Sequence, residues 1–392
     1  MKILITTDTY FPMTNGVVIS MDNLYKQLKL LGHDVKILTL SSDGNEHISG
    51  DIYYFSSYNS NIYPNTRVIK LGQNKIIKEL IKWNPDIIHS QSEFSTMIVA
   101  KYLKRKLNIP QVHTYHTMYE DYLHYFLGGK VLRKTVVSKL TGILLNTFET
   151  VIAPTEKIKE KLESCNVSTN IEVAPTGINI EKFQKGLSQV EKEKLLSRYG
   201  LSSKDTILLY VGRIAEEKNI EEVLSLYNNA LRYVKNTKLL IVGGGPDLPK
   251  LKDIVKKYGI EEYVKFTDMI NTDEIYKYYN LGDIFITASI SETQGITYIE
   301  ALASGLPVIC RWDMCIKDLI IDRQTGFTYK NEEEFKNALI NIVLNEELKR
   351  HMGTNIQSKV RSYSVERFGE RILEVYNTVL DQKDIHYLMK KI

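Results

Sequence analysis

Residues 283–310 read DIFITASISETQGITYIEALASGLPVIC and contain a strand, a helix and a second strand. The apolar run Asp283–Ala288 predicts the first strand, and the polar residues after it predict a turn. Apolar residues at helical spacing from Gln294 onward predict a helix, and Pro307–Cys310 predicts the next strand. This order is typical of a βαβ unit, which joins two parallel strands.

The same alternation extends over the 392-residue chain. Further strands are predicted at Lys2–Thr6, Val35–Leu40, Asp86–His89, Gln111–Thr114, Val151–Ala153, Thr206–Val211, Lys238–Val242 and Val264–Thr267. Helices are predicted at Met21–Leu31, Phe94–Leu107, Val131–Phe148 and Val365–Leu380. Strands that alternate with helices predict parallel sheets covered on both faces.

Residues 177–205 interrupt this alternation, because they contain a charged helix-like stretch and no convincing buried strand. We therefore predict an α/β protein with two doubly wound, Rossmann-like domains, at residues 1–180 and 181–369. Doubly wound domains bind ligands at the carboxyl ends of their strands, so two facing domains would form one central cleft.

The composition excludes several classes of protein. The 51 Lys and Arg against 47 Asp and Glu give a net charge of +4, which is too balanced for wholesale binding of nucleic acid. The 43% hydrophobic and 25% charged residues exclude a disordered chain. No apolar run is long enough to span a bilayer, and the N-terminus lacks the apolar core of a secretory signal. Cys165, Cys310 and Cys315 lack paired spacing and predict reduced thiols in a cytosolic protein.

Two carboxylates accompany the helix predicted within residues 283–310. Glu292 precedes it and Glu300 lies about two turns inside, so helical rise would separate them by roughly 12 Å. That distance suits two hydroxylated sugars joined by a diphosphate, which the unpaired N–H groups of the helix start would bind. A capping acid and a solvated surface glutamate fit the same spacing.

Two cations follow the strand Thr206–Val211. Arg213 offers bidentate hydrogen bonds and Lys218 a point charge, so together they are suited to neutralise a diphosphate leaving group. Surface ion pairs with Glu216 and Glu217 are the alternative.

Glycines mark two further loops. Gly16 follows the first strand and permits close approach of an anion to the backbone, although a tight turn with positive φ is the alternative. Residues 243–245 are three glycines without the spacing and the acidic residue of a dinucleotide motif, and they predict close packing of a strand against a helix.

Histidines and a basic stretch follow the strand Gln111–Thr114. His113, His116 and His124 match no zinc spacing, so no metal site is predicted. Residues 101–140 carry a net charge of +6, and apolar residues between positions 126 and 140 interleave with the cations. This pattern predicts a basic amphipathic helix at residues 120–140 on an anionic membrane surface, and a core-facing helix with a solvated basic face is the alternative.

Together these segments resemble the retaining nucleotide-sugar glycosyltransferases of family four, which have the GT-B fold. The resemblance rests on Glu292-x7-Glu300, on Gly-Arg-Ile-Ala-x-x-Lys at 212–218 and on Phe-Pro-x-x-Asn-Gly at 11–16, and it covers essentially the whole chain. Residues 89–95, 113–125 and 291–295 further resemble the bacterial 1,2-diacylglycerol 3-glucosyltransferases.

The resemblance implies a GT-B fold of two Rossmann-like domains facing a central cleft. Residues 1–180 would face the acceptor and the membrane, residues 181–369 would bind the nucleotide sugar, and a helix at 370–392 would cross back to the first domain. In this scheme Gly16, Arg213 and Lys218 bind the donor diphosphate. The candidate donor-binding set is completed by Gln294, Gly295, Ile296 and Glu300, of which Glu300 would hold the ribose hydroxyls.

The implied catalytic residues are Glu292, His116, Arg213 and Lys218, with Glu292 on the hydroxyls of the transferred sugar and His116 near its anomeric carbon. Candidate acceptor or membrane contacts are Tyr119, His124, Phe126, Lys130, Arg133 and Lys134.

The expected activity is retaining transfer of glucose from UDP-glucose to the 3-hydroxyl of 1,2-diacylglycerol, by a cytoplasmic enzyme peripheral on the inner face of the cell membrane. Front-side attack with two fixed cations requires no metal and no cofactor, and no nucleic-acid partner is expected. Several alternatives stay open, namely galactose as the sugar, a glycan, protein or glycolipid acceptor, a nucleotide-sugar isomerase, and a non-enzymatic binding protein.

Overall fold

The computed structural model describes residues 1–13, 15–59, 67–70, 75–116 and 134–389. The chain divides into two compact units. The first comprises Met1–Gly177 together with Val365–Ile392, and the second comprises Ile178–Ser364. The first boundary therefore lies three residues before the one expected from the sequence, and the second lies five residues before it.

The first unit is built on an eight-stranded sheet. The strands of the unit are β1 (Lys2–Thr6), β2 (Asp34–Leu40), β3 (His47–Ser49), β4 (Ile52–Phe55), β5 (Ser57–Asn59), β6 (Arg67–Ile69), β7 (Ile87–Ser90), β8 (Gln111–Thr114), β9 (Thr150–Ala153) and β10 (Asn170–Val173). Its helices are α1 (Gly16–Leu30), α2 (Lys75–Trp83), α3 (Ser95–Leu107), α4 (Lys134–Leu145), α5 (Glu156–Ser164) and the last helix of the chain, α14 (Val365–Met389).

The strand order of this sheet is β10-β9-β8-β7-β1-β2-β4-β3, and only the pairing of β3 with β4 is antiparallel. β5 and β6 form a separate antiparallel pair. Side chains of β1 alternate between the two faces, so Ile3 and Ile5 join a core with α1 and α14, whereas Leu4 joins a core with α2 and α3. The last helix therefore packs on the first unit, through an apolar face at helical spacing that includes Phe368, Ile372 and Tyr376.

The second unit has a six-stranded, wholly parallel sheet in the order β13-β12-β11-β14-β15-β16. Its strands are β11 (Thr206–Val211), β12 (Thr237–Val242), β13 (Val264–Phe266), β14 (Ile284–Thr287), β15 (Val308–Arg311) and β16 (Gly326–Tyr329). Its helices are α6 (Ile180–Gln184), α7 (Gln189–Arg198), α8 (Ile220–Ala230), α9 (Leu248–Tyr258), α10 (Ile275–Tyr279), α11 (Ile296–Ala303), α12 (Glu332–Leu344) and α13 (Glu346–Val360). The segment expected as an interdomain linker thus supplies α6 and α7 of this unit.

Glycines hold the loop after β12 against the loop after β11. A Cβ on Gly243 would lie 2.0 Å from the carbonyl oxygen of Gly212, and a Cβ on Gly245 would lie 2.0 Å from that of Ile214. The Ile214 N–H also donates to the Gly244 carbonyl at 2.9 Å. The expected packing of these glycines against a helix is therefore replaced by contact between two loops, and any side chain at Gly243 or Gly245 would force these loops apart.

No helix within the described ranges combines the length and the hydropathy that crossing a bilayer requires.

Candidate active site

The strand order of the second unit changes direction at β11, which has β12 on one side and β14 on the other. The loops that leave the carboxyl ends of β11 and β14 consequently start side by side. In doubly wound sheets this switch point is where ligands bind. Arg213 and Lys218 follow β11, and Glu292 follows β14.

Lys218 and Glu292 form an ion pair across this switch point. The Lys218 Nζ lies 2.5 Å from Glu292 Oε1, and the two side chains are 21% and 17% exposed. Ser289 Oγ donates to the same carboxylate oxygen at 2.9 Å. The alternative prediction from the sequence was a surface ion pair of Lys218 with Glu216 or Glu217. In the structure the Lys218 ammonium instead contacts the carboxylate of Glu292, the first residue of the Glu292-x7-Glu300 motif.

Arg213 lies in the same loop and is about half exposed. Its guanidinium is 3.8 Å from Glu217 Oε1, a long separation at which a surface ion pair contributes little stability. The Tyr210 hydroxyl donates to the Arg213 carbonyl at 3.1 Å and so supports the backbone of the turn. The alternative of a surface pair with Glu217 therefore holds in part for Arg213.

Helix α11 begins at Ile296, with Gly295 as its N-cap at φ 75°. A Cβ on Gly295 would lie 2.6 Å from the Tyr298 ring, so both the backbone conformation and the space favour glycine. Gln294, Gly295 and Ile296 thus stand at the helix start, as expected. The N-cap position itself is occupied by Gly295, and Glu292 lies three residues before it, in the loop.

Glu300 is the fifth residue of α11, about one turn inside the helix rather than two. The expected separation of about 12 Å from Glu292 assumed helical rise over all eight residues, whereas Glu292 lies in the loop before the helix. The Tyr279 hydroxyl donates to Glu300 Oε2 at 2.8 Å. Burial raises the pKa of the Glu300 carboxyl to about 7, against the weaker opposing effects of the Tyr279 hydrogen bond and the Lys182 charge. Glu300 is therefore not a solvated surface glutamate.

In the first unit, the order changes direction at β1, which lies between β2 and β7. Gly16 is the first residue of α1, so it is helical rather than part of a tight turn. The Asn15 side chain caps this helix by accepting from the Val18 N–H at 2.9 Å. The Asp8 carboxylate accepts from the Ser95 and Thr96 N–H groups and caps α3.

His116 lies two residues beyond β8 and is half-buried. Its Nε2 is 2.6 Å from Gln91 Oε1. Burial, with a smaller effect from His113, lowers the pKa of the His116 imidazole to about 3, so the ring is neutral at physiological pH. His113 contacts Glu93 at 3.1 Å through its own Nε2.

Most of the predicted acceptor and membrane contacts lie outside the described residues, namely Tyr119, His124, Phe126, Lys130 and Arg133. Lys134 begins α4, and its side chain is likewise not described. The described part of the expected amphipathic helix is α4. Within the described ranges, no group of three or more His, Cys, Asp and Glu side chains is placed to hold a metal ion.

Sequence reasoning missed three residues that contact the candidate side chains, namely Ser289, Tyr279 and Gln91. Ser289 stands three residues before Glu292 and contacts it only because the loop after β14 folds back. Tyr279 belongs to α10 and Gln91 follows β7, so neither is near its partner in sequence. A polar residue shortly after a strand, as Gln91 is two residues beyond the predicted strand Asp86–His89, is the one local signal that was available.

Two family models match the chain. The model described as Glycosyltransferase Family 4 matches residues 14–182, and the model described as Glycosyl transferases group 1 matches residues 191–359. Each covers most of one of the two units.

Two curated relatives match over nearly the whole chain. An alpha-monoglucosyldiacylglycerol synthase of Streptococcus pneumoniae is 35% identical over 96% of this chain and 85% of its own. An alpha-monoglucosyldiacylglycerol synthase of Acholeplasma laidlawii is 28% identical over 98% of both chains. Among solved structures, Anabaena HepE in complex with UDP and glucose superposes with a TM-score of 0.74 at 15% identity, over 96% of this chain and 100% of its own.

These matches confirm the family and the fold that the sequence motifs indicated: the chain belongs to the family 4 glycosyltransferases, with a GT-B fold made of two Rossmann-like domains.

Proposed function

We propose that this glycosyltransferase moves glucose from UDP-glucose to the 3-hydroxyl of 1,2-diacylglycerol and forms alpha-monoglucosyldiacylglycerol with retention of configuration. The observation that carries the proposal is the similarity over nearly the whole chain to two alpha-monoglucosyldiacylglycerol synthases, at 35% and 28% identity. The donor is supported by Anabaena HepE, which shares the fold and is solved with UDP and glucose.

The Lys218–Glu292 ion pair supports a donor site at the switch point of the second sheet. In UDP-glucose the diphosphate and the sugar are directly bonded, so a cation for one and a carboxylate for the other must stand next to each other. The 2.5 Å contact between Lys218 and Glu292 meets this requirement. Arg213, and the N–H groups that begin α11, add positive charge for the same diphosphate.

The Glu300 carboxyl is suited to hydrogen bonding with an uncharged, polar group of the donor. The residue is half-buried, its carboxyl is held by Tyr279, and its raised pKa leaves it partly protonated near pH 7. A carboxyl group of this kind both donates and accepts hydrogen bonds, as ribose hydroxyls require. We assign Glu300 to the ribose, and Gly16 and His116 keep the roles that the resemblance implies.

Front-side transfer accounts for the absence of a designated general base in this scheme. The bond from the anomeric carbon to the β-phosphate oxygen breaks, and the glycerol 3-oxygen bonds to that carbon on the same face. The hydroxyl proton passes to the departing β-phosphate oxygen, which gives UDP and the glucolipid. Stabilisation of the leaving group by Arg213, Lys218 and α11 is the main contribution of the protein, and we propose that no metal is needed.

Helix α3 supports a membrane-facing surface on the first unit. Ile98 and Tyr102 lie on one face of α3, Phe94 is the N-cap of this helix, and each of the three is about half exposed. Lys101 lies beside this face, and its pKa is lowered by burial and by the neighbouring charges of Arg105 and Lys104. An apolar stripe with clustered cations is suited to an anionic leaflet, where a diacylglycerol acceptor resides.

Incubation of the enzyme with radiolabelled UDP-glucose and diacylglycerol vesicles tests the proposed reaction. We expect label in a monoglucosyl lipid, α-linked by NMR, and unchanged activity after chelation of divalent metals. UDP-galactose in place of UDP-glucose is the donor control. Turnover of the UDP-sugar without acceptor would indicate an isomerase, and label only in a glycan or protein would refute the lipid acceptor.

Arg213→Ala, Lys218→Ala and Glu292→Gln each test the donor site. We expect transfer rates to fall by on the order of 10²–10³, because each variant removes a preorganised interaction with the diphosphate or the sugar. Lys336→Ala is the matched control, since it removes an ion pair with Glu333 on the surface of α12. Circular dichroism would establish that the variants are folded, and wild-type rates in all three would overturn the site.

Glu300→Gln tests the buried carboxyl through stability as well as activity. The folded protein binds more protons at Glu300 than the unfolded chain between pH about 4.5 and about 7, so this group makes the free energy of unfolding fall as the pH rises through that window. The amide variant lacks this effect. It should be more stable than wild type at pH 8, with a difference that shrinks toward pH 4.5, and it should bind UDP-glucose more weakly.

Thermal unfolding across this pH range, together with calorimetric titration of UDP-glucose, measures both effects. Glu261→Gln is the control, because Glu261 is an exposed carboxylate of the same unit. A stability difference independent of pH would contradict the burial of Glu300, and unchanged donor affinity would contradict its assignment to the ribose.

Ile98→Asp tests the α3 surface. We expect binding to vesicles with anionic lipid to weaken about fivefold or more, since burial of the exposed part of this side chain is worth on the order of 1 kcal/mol. Val190→Asp on α7 is the control, because Val190 is 75% exposed in the second unit. Vesicle flotation measures both, and equal effects of the two variants would refute the surface.

A further inference from the structure

Gln91 and His116 meet where two neighbouring strands of the first sheet end. β7 ends at Ser90 and β8 at Thr114, and Ser90 is in register with His113. Gln91 and His116 follow these strands, and their side chains are joined by the 2.6 Å contact between Gln91 Oε1 and His116 Nε2. An amide oxygen is only an acceptor, so the proton of this hydrogen bond belongs to the imidazole.

We propose that Gln91 is a positioning residue that holds His116 in its Nε2–H tautomer and leaves the Nδ1 lone pair to accept a hydrogen bond from a sugar or acceptor hydroxyl. This assignment deepens the proposed glucosyl transfer and rests on it for the role of Nδ1. The tautomer itself is a property of the protein without substrate.

The backbones on both sides of this contact are fixed. The Gln91 N–H donates to the Thr6 carbonyl of β1 at 2.8 Å, and the Tyr115 N–H donates to the Ile152 carbonyl of β9 at 2.9 Å. Gln91 is 4% exposed. A hydrogen bond between two anchored residues restricts the orientation of the imidazole ring as well as its tautomer.

Only one of the two polar atoms of the Gln91 amide, the oxygen, has a hydrogen-bond partner among the described residues. Its Nε2 is buried and has no hydrogen-bond partner among the residues that the structure describes. A buried donor of this kind lowers stability, so a glutamine retained for structure alone would be expected to use its amide nitrogen. The contact with His116 is the interaction that explains a glutamine here.

The surroundings keep the ring uncharged. Burial, with a smaller effect from His113 of β8, lowers the pKa of the His116 imidazole to about 3. His89 on β7 also lies near His116, and its nitrogens contact the Tyr376 hydroxyl at 2.6 Å and the Thr114 hydroxyl at 2.7 Å. The carboxylate of Glu93 is directed to His113. Since Gln91 is neutral, it selects a tautomer without favouring the imidazolium, as a carboxylate would.

NMR of the full-length protein with ¹⁵N-labelled histidine tests the tautomer directly, with the His116 signals assigned from a His116→Asn sample. We expect a protonated Nε2 and an unprotonated Nδ1 between pH 6 and 8. In Gln91→Leu both nitrogens should shift toward the average of the two tautomers. Gln111→Leu is the matched control, because Gln111 is a buried glutamine of β8 that donates to Ser90 Oγ at 2.6 Å.

Steady-state kinetics test whether the orientation of His116 by Gln91 matters for glucosyl transfer. Gln91→Leu should lower kcat by about 10- to 100-fold with little change in the KM for UDP-glucose, as losses of such supporting residues do. Gln91→Glu keeps an acceptor oxygen and raises the pKa of His116, so its rate should increase with pH through an ionisation that the wild type lacks.

A protonated Nδ1 in the wild type, or unchanged His116 shifts in Gln91→Leu, would overturn the tautomer assignment. Equal kcat values for Gln91→Leu and Gln111→Leu would overturn the positioning role. The NMR result needs no substrate, so it stands or falls separately from the proposed donor and acceptor.

Discussion

The ion pair between Lys218 and Glu292 is the contact on which the arrangement of the second unit's candidate site depends. It joins loops that are 74 residues apart in sequence, and it forms because β11 and β14 are neighbours in register, with Leu208 opposite Ile284. The proposed cation for a diphosphate and the proposed carboxylate for a sugar are thereby held at one point. Partial burial of both side chains makes this pair more costly to break than an exposed one.

Glycines near this ion pair allow the loops that carry it to adopt their observed conformations. Gly243 and Gly245 let the loop after β12 press against the loop that carries Arg213, and Gly295 turns the chain into α11. A rigid turn reduces the reorganisation needed when charge develops on a leaving group. The turn that carries Arg213 is therefore supported by backbone contacts with the loop after β12.

Burial shifts the pKa values of two titratable groups, one in each unit, in opposite directions. It raises the pKa of Glu300 to about 7 and lowers that of His116 to about 3. In both cases the low-dielectric surroundings favour the neutral form. Neutral, hydrogen-bonding groups suit the hydroxyls of the proposed ribose and hexose, whereas the proposed ligand of Arg213 and Lys218 is the diphosphate. The charges of these groups would then match the charges along a nucleotide sugar.

The sequence by itself determined the fold class and most of the strands, because period-two and helical patterns are local properties that the chain carries wherever it folds. It also indicated Arg213, Lys218, Glu292 and Glu300, since these residues follow predicted strands or lie within the helix that comes next. It missed the short strands β3 to β6 and the edge strands β10 and β16, whose brief or partly exposed runs give little pattern. Only the tertiary structure decided that Lys218 meets Glu292 instead of its sequence neighbours, that Tyr279 reaches Glu300, and that Gln91 reaches His116. Such contacts depend on strand order, and strand order is fixed by packing between residues far apart in the chain.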